Sequence, residues 1–442
     1  MSKLLNYLKN KINSDKHFLE ILSGSSISFL FQIIGIGLSY LFILLVSRIY
    51  GAEGLGIYTL SFTLVSIFAL IGKFGLDTAI IKFVADSFEE QLKNIYITIL
   101  KFLIPFNIIL MIIMFYSSSY IASDIFENIK LMIPFQIVSF ALIPIVLRFL
   151  HANGLRGLKQ IKEYAFLQSI IVYLLAIVFL LLFHFFLNIN YIPIISFTMA
   201  VIISFIISTF IWLKKINFFK PYKSKLNIKI KDLLVVSFPM LLSSSLMLVI
   251  GWTDTIMLGM YTNEANVGIY GVSLKIATAT AIILTAVTSV SATKFVYALK
   301  KDNYNELKKV ALFSNQLIFY TTFPIITILA VFRDEVLNLF GAEFMSGSFA
   351  LGVLLLGRTF DSISGTSGYI LNMSSEQKSV KNIMFFSAIV NIVLNYWLIP
   401  LYGINGAAVA SATSIFLWNI LFIIKIKQKF GFLNLPFKWN LK

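Results

Sequence analysis

The fold class that the sequence predicts is an all-α polytopic membrane protein, with twelve transmembrane helices in two pseudo-symmetric six-helix lobes around a central cavity. Three observations predict it. Of 442 residues, 58% are hydrophobic and only 13% are charged, about half the ~25% charged content of a soluble domain. Apolar runs near the ~20 residues needed to cross ~30 Å of hydrocarbon recur along the whole chain. The chain also repeats itself. Gly268-Ile269-Tyr270, Ser273, Ala281, Ile283 and Lys294-Phe295-Val296 match Gly56-Ile57-Tyr58, Ser61, Ala69, Ile71 and Lys82-Phe83-Val84, nine identities in 29 positions at an offset of 212. A period of half a chain reads as duplication into two halves, not as a solenoid.

The elements follow in order. Residues 1–21 form an expected interfacial amphipathic helix. Leu4, Leu8 and Ile12 share one face and Lys9, Lys11 and Lys16 lie elsewhere, which suits anionic membrane lipids. Spans are expected at 22–47, 57–80, 96–118, 129–150, 163–185 and 192–213, the N-terminal lobe (22–213). A lysine-rich cytoplasmic linker, 214–231, leads to the C-terminal lobe (232–427), with spans at 232–254, 267–293, 310–332, 347–373, 380–400 and 405–425. Residues 428–442 form a basic tail. The first apolar run lacks a small-residue cleavage site and is expected to remain as a span. An even number of spans per lobe gives the lobes one orientation, related by an axis along the membrane normal.

Charge sets the sidedness. Lys93, Arg156, Lys159, Lys162, the lysines of 214–231, Lys300, Lys301, Lys308, Lys309 and Lys378 fall between even-numbered spans and the next. The opposite intervals carry Glu53, Asp124, Glu127, Glu264, Asp334, Glu335 and Glu343. Both termini are therefore expected in the cytoplasm. The same asymmetry accounts for the net charge of +16 without a nucleic-acid partner.

Several chemistries are excluded. A chain with no cysteine has no disulfide, thiol nucleophile or zinc–thiolate site. His17, His151 and His184 are too scattered to suggest a metal site. No phosphate-cradling glycine loop followed by Lys-Ser/Thr is present. The expectation is a transporter, not an enzyme, with no cofactor.

Charged groups inside spans are costly and point to function. Lys275 lies ~10 Å past Gly268, and Arg358 and Asp361 lie ~16–21 Å into span ten, at 1.5 Å per residue. Arg358 and Asp361 are three apart and can pair on one face. Lys275 and Arg358 are expected to line a water-filled cleft. Asp361 either neutralises Arg358 or takes part in ion coupling. Lys73 and Asp77 form an i, i+4 pair that is either structural or part of the cavity. Arg48 is an interfacial anchor or a secondary substrate contact. Asp254 is a surface acid at the outer mouth or a coupling group. Lys82, Lys101, Arg148 and Lys294 are expected to snorkel to the interface. Pro105, Pro134, Pro144, Pro193, Pro239 and Pro324 permit kinks, and Gly35, Gly37, Gly365, Gly368, Gly403 and Gly406 permit close helix contact.

Tyr50-Gly51-Ala52-Glu53-Gly54-Leu55-Gly56-Ile57-Tyr58 resembles the first loop of bacterial polysaccharide flippases, the O-antigen and capsule repeat-unit exporters. Gly75-Leu76-Asp77-Thr78-Ala79-Ile80-Ile81-Lys82 is similar to the segment after their span two, with Lys82 where arginine is usual. Asp254 with Val267-Gly268-Ile269-Tyr270, and Asn391-Ile392-Val393-Leu394-Asn395, Ile399-Pro400 and Tyr402-Gly403-Ile404-Asn405-Gly406-Ala407-Ala408, extend the likeness. These flippases belong to the multidrug/oligosaccharidyl-lipid/polysaccharide exporter (MOP) superfamily. The resemblance implies alternating access between two lobes and an undecaprenyl-pyrophosphate-linked oligosaccharide as substrate, with H⁺ or Na⁺ as a possible coupling ion. Lys275, Arg358, Arg48 and Lys73 are then the expected substrate contacts, and Asp77, Asp361 and Asp254 the coupling or charge-balancing acids. A cation-coupled drug antiporter of the same superfamily and a membrane glycan polymerase are the alternatives. The short outer intervals weigh against a polymerase.

Overall fold

A computed structural model describes residues 16–186, 189–220 and 230–437, with side chains described except at 16–28, 89, 239 and 242–250. Most of the expected interfacial helix, the centre of the lysine-rich linker and the last residues of the tail lie outside the described residues.

Among the described residues the chain is helical, without strands. Helices occupy all twelve predicted intervals: α1 (Lys16–Lys73), α2 (Leu76–Ala85), α3 (Glu89–Tyr120), α4 (Met132–Ser139), α5 (Leu142–Gly157), α6 (Ile161–Ala165), α7 (Ile171–Phe186), α8 (Ile192–Lys215), α9 (Ile230–Tyr261), α10 (Glu264–Ala279), α11 (Ala281–Lys300), α12 (Tyr304–Val331), α13 (Arg333–Asn338), α14 (Ser348–Ser364), α15 (Ser367–Met373), α16 (Gln377–Tyr402) and α17 (Ile404–Phe430). Within them, eight helical stretches are long and apolar enough to cross a membrane, or nine when the bent α4–α5 pair is one span. The protein is a multi-pass membrane protein.

The helices are interrupted at one expected loop and inside three expected spans. α1 turns at Gly51, with φ 67°, where the sequence places the first outer loop. Predicted span two ends early, because Phe74 and Gly75 have φ of 49° and 73°. The Gly72 carbonyl there accepts a hydrogen bond from Asn107 Nδ2 of α3 at 3.0 Å. Span four bends by 42° between α4 and α5. Pro144, in the first turn of α5, has no N–H to offer the carbonyl four residues back, at Phe140. Span ten breaks at Gly365, with φ 52°.

The helices sort into two compact units. The first runs up to Leu45 and includes Leu64–Asp124 and Asn128–Leu242. Its core holds Phe42, Leu76, Ile80, Ile99, Phe135 and Trp212, each no more than 1% exposed. His151 is fully buried here. Its ring nitrogens lie 2.8 Å from the Tyr96 hydroxyl and 3.0 Å from the Ser208 hydroxyl. Arg148 does not snorkel as expected. It is buried and donates to the Leu167 carbonyl at 2.6 Å. That carbonyl sits in a π-helical turn, Phe166–Ile170, where the loosened ladder leaves an acceptor for it. Lys82, Lys101 and Lys294 are exposed.

The second unit comprises Val46–Thr63, Ile125–Glu127 and Ser243–Lys442. The duplicated motif explains the inclusion of 46–63. A Cβ on Gly268 of α10 would stand 3.0 Å from the Gly56 nitrogen and closer still to the Ala52 carbonyl. A Cβ on Gly56 would collide with the Glu264 backbone. The two related glycines thus let the two helices cross backbone to backbone. In the predicted tail, 428–430 finish α17, and beyond Gly431 (φ 76°) the chain turns back. Asn434, fully buried, donates to Thr366 and Ser367, and its carbonyl accepts from Asn315 of α12 at 3.0 Å.

At the start of α16 the Glu376 carboxylate accepts from Ser379 at 2.6 Å and pairs with Lys425 and Lys429 at 3.1 and 3.3 Å. The Ser379 hydroxyl and these ammoniums hold its carboxyl down at about 2, below the ordinary 4.5.

Gly56→Ala and Gly268→Ala are each expected to lower the melting temperature of the detergent-purified protein, by overpacking worth ~1–3 kcal/mol. The pair is expected to be non-additive, because both act at one crossing. The Glu376 contribution is present above its unfolded value and lost as pH falls from 4.5 towards about 2, the sign for a depressed carboxylate. The melting-temperature gap between wild type and Glu376→Gln is therefore expected to shrink on acidification through that window.

Candidate functional site

The second unit gathers five of the seven predicted site residues: Arg48, Asp254, Lys275, Arg358 and Asp361. Lys73 and Asp77 belong to the first unit. They pair at 3.2 Å across the Phe74–Gly75 break, and Lys73 Nζ lies 4.7 Å from the Phe149 ring centroid.

Asp254 is 1% exposed and seven residues inside the end of α9, ~10 Å along the helix. It is therefore not a surface acid. One carboxylate oxygen accepts from Asn395 Nδ2 at 2.7 Å and Asn391 Nδ2 at 3.2 Å. The other accepts from the Tyr270 hydroxyl at 2.6 Å and from the Ser411 hydroxyl. Donors thus come from α10, α16 and α17. Asn391 and Asn395 are one turn apart and share a face of α16. Asn395 Oδ1 is buried with no hydrogen-bond partner.

Arg358 and Asp361 pair as their spacing predicts. Arg358 Nη1 lies 2.8 Å from Asp361 Oδ2, with side-chain exposures of 17% and 15%. Asn419 of α17 donates to the other carboxylate oxygen at 2.6 Å and to the Ile415 carbonyl at 2.9 Å. The pair lines a pocket of about 10 Å³ with Thr280, Leu284, Thr322 and Ser362, room for roughly one water. Ser411, Ile415 and Asn419 recur every four residues. The Asp254 and Arg358–Asp361 clusters therefore lie along one side of α17, ~12 Å apart. Lys275 is half-buried on α10, five residues beyond Tyr270. α10 packs against α14, which carries Arg358.

Arg48 is used differently. Its guanidinium donates to the carbonyls of Leu339 and Asn338 at 2.6 and 2.9 Å, at the end of α13. Glu343 Oε1 accepts from the Ala52 N–H at 2.7 Å, a donor released by the turn at Gly51. Together they tie the corner of α1 to the connection before α14. This geometry suits the anchor alternative. Sequence reasoning quoted Tyr270, Asn391 and Asn395 only within motifs, and assigned neither them nor Ser411 and Asn419 to the site. The one available signal was the i, i+4 asparagine pair inside an apolar run. Among the described residues no group of three or more His, Cys, Asp or Glu side chains could hold a metal ion.

Asn391→Ala and Asn395→Ala each strip a donor from a buried carboxylate. Each is expected to cost ~1–3 kcal/mol, read as a lower melting temperature.

Comparison with known proteins agrees with this architecture. Residues 21–295 match the family model described as polysaccharide biosynthesis protein, and 239–397 match the MatE model. An uncharacterized membrane protein of Methanocaldococcus jannaschii is 27% identical over 392 residues, 82% of this chain and 74% of that protein. The probable low-salt glycan biosynthesis flippase Agl15 of Haloferax volcanii is 28% identical over 167 residues, 37% of this chain and 35% of that protein. The lipid II flippase MurJ in an inward closed conformation shares the fold, with a TM-score of 0.75 at 16% identity over 92% of this chain and 87% of MurJ. With the helical architecture and the match over residues 21–295 together, the chain belongs to the polysaccharide biosynthesis protein family.

Proposed function

We propose that the protein flips a polyprenyl-pyrophosphate-linked oligosaccharide from the cytoplasmic to the outer leaflet by alternating access, with both termini in the cytoplasm. The observation that carries this reading is the set of ionisable groups within the spans of the second unit: Asp254, Lys275, Arg358 and Asp361. Family membership and the flippase names of Agl15 and MurJ support it. A sugar cannot cross hydrocarbon unaided, because each unpaired hydroxyl there costs several kcal/mol. A wet path carries the head group while the polyprenyl tail stays in lipid. Lys275 and Arg358 are the proposed pyrophosphate contacts, Arg358 suiting a bidentate phosphate and Lys275 a point charge. Lys73 is a further contact, with Asp77 balancing it. Because the relatives are archaeal, the proposal rests on pyrophosphate and sugar chemistry, not on an undecaprenol or on an O-antigen or capsule product.

Asp254 is the proposed coupling site. Its carboxylate, the amide oxygens of Asn391 and Asn395 and the Ser411 hydroxyl are hard oxygen donors, which suit Na⁺, and the carboxylate alone suits a proton. The unpartnered Asn395 Oδ1 is an acceptor that a bound cation would satisfy. Asp361, already paired with Arg358 and Asn419, balances that charge. The drug-antiporter reading draws on the MatE match, and drug resistance conferred on a pump-deficient host would favour it.

The double variant Lys275→Gln/Arg358→Gln is expected to abolish lipid-linked glycan display while still inserting in the membrane; full display would remove the assignment. Asp254→Asn is expected to uncouple flipping from a proton or sodium gradient in proteoliposomes. Gradient-stimulated flipping at the wild-type rate would exclude Asp254 as the coupling group.

A further inference from the structure

Arg333 opens α13, just past the end of α12. A cation at a helix N-terminus opposes the helix dipole, so helix stability does not explain it. No hydrogen bond or ion pair engages its guanidinium among the described residues. The exposed acids Asp334 and Glu335 follow it. A snorkelling arginine sends its head into water. Arg333 instead lies over α14, where Gly352 makes room: a Cβ there would stand 3.0 Å from Arg333 Nη1. The guanidinium caps a cleft of about 280 Å³ whose other walls are apolar, among them Ile326, Ala330, Phe349, Val353 and Leu356. Phe349 also walls an adjoining cleft of about 370 Å³, lined by Leu398, Tyr402 and Val409.

We propose that this cleft binds an anionic membrane phospholipid, its phosphate on Arg333 and an acyl chain along Phe349. Charge and lining decide the class of ligand. A planar guanidinium pairs with phosphate through two parallel hydrogen bonds. Apolar walls gain little from hydrocarbon over the lipid they already face, so selectivity resides in the phosphate. The site is separate from the proposed transport path. At ~100° per residue on α14, Leu356 and Phe349 lie about 160° and about 180° from Arg358, while Leu355, which also lines the cleft, lies about 60° from it. On the topology proposed above, the lipid belongs to the outer leaflet.

The test is native mass spectrometry of the full-length detergent-purified protein titrated with phosphatidylglycerol or phosphatidylcholine. One phosphatidylglycerol per chain is expected to be retained in preference to phosphatidylcholine, and excess inorganic phosphate is not expected to displace it. Arg333→Gln is expected to weaken retention about fivefold or more, as loss of a charge-assisted contact does. Leu356→Trp, on a wall residue that is 64% exposed, fills the cleft without disturbing the core and is expected to do the same. Equal retention of the two lipids, displacement by phosphate alone, or wild-type retention in either variant would overturn the proposal. The readout does not involve oligosaccharide flipping, so it fails or succeeds independently of the transport reading.

Discussion

A carboxylate in the middle of a membrane protein must be satisfied by the protein itself, and Asp254 sets that constraint for the second unit. Leaving it bare in hydrocarbon would cost several kcal/mol or more. The chain meets the demand with two hydroxyls and two amides from three other helices. α9, α10, α16 and α17 are thereby fixed in mutual register by directed bonds. Apolar packing alone, between helices surrounded by equally apolar lipid, supplies no such register. Small residues then permit the approach: Gly268 and Gly56 at the crossing of α10 with the start of span two, and Gly357 against Ala412 on α17.

The helix breaks obey the same rule. Each interruption frees backbone groups that lipid cannot satisfy, and a buried asparagine answers at two of them. Asn107 takes the Gly72 carbonyl beside the break in span two. Asn315 spans the break in span ten, donating to the Ser364 carbonyl and accepting from the Thr366 N–H at 3.2 and 2.8 Å. Arg48 and Glu343 do comparable work at the Gly51 corner. The breaks at Gly75 and Gly365 fall inside expected spans and are buried in protein. The break in span ten lies one turn beyond Asp361, so a shift there would re-aim the Arg358–Asp361 pair.

Much of the architecture was legible because it follows from solvent. Run length placed a helix in each predicted interval, while eight or nine stretches among the described residues are long and apolar enough to cross a membrane. The 212-residue offset matched Gly56 with Gly268 as equivalent positions of two halves, but did not show that the two helices cross there. The Arg358–Asp361 pair could be read because it is local. Asp254 could be found but not interpreted, since three of its four partners lie 137, 141 and 157 positions away. Nor did the pattern warn of the break at Phe74, since phenylalanine rarely takes a positive φ. Arg148 looked like an interfacial cation because nothing nearby in sequence announces the π-turn carbonyl that receives it.

The central claim is that Lys275 and Arg358 line an aqueous path through the membrane. Because the chain has no cysteine, it needs no background mutation to test this. Lys275→Cys and Arg358→Cys would be exposed to a membrane-impermeant thiol reagent in sealed right-side-out and inverted vesicles. Phe386→Cys, at a position 52% exposed on α16, serves as the lipid-facing control. The account predicts that both sites react from one side of the membrane, far faster than the control, and that lipid-linked oligosaccharide protects them. Labelling no faster than the control from either side would contradict it.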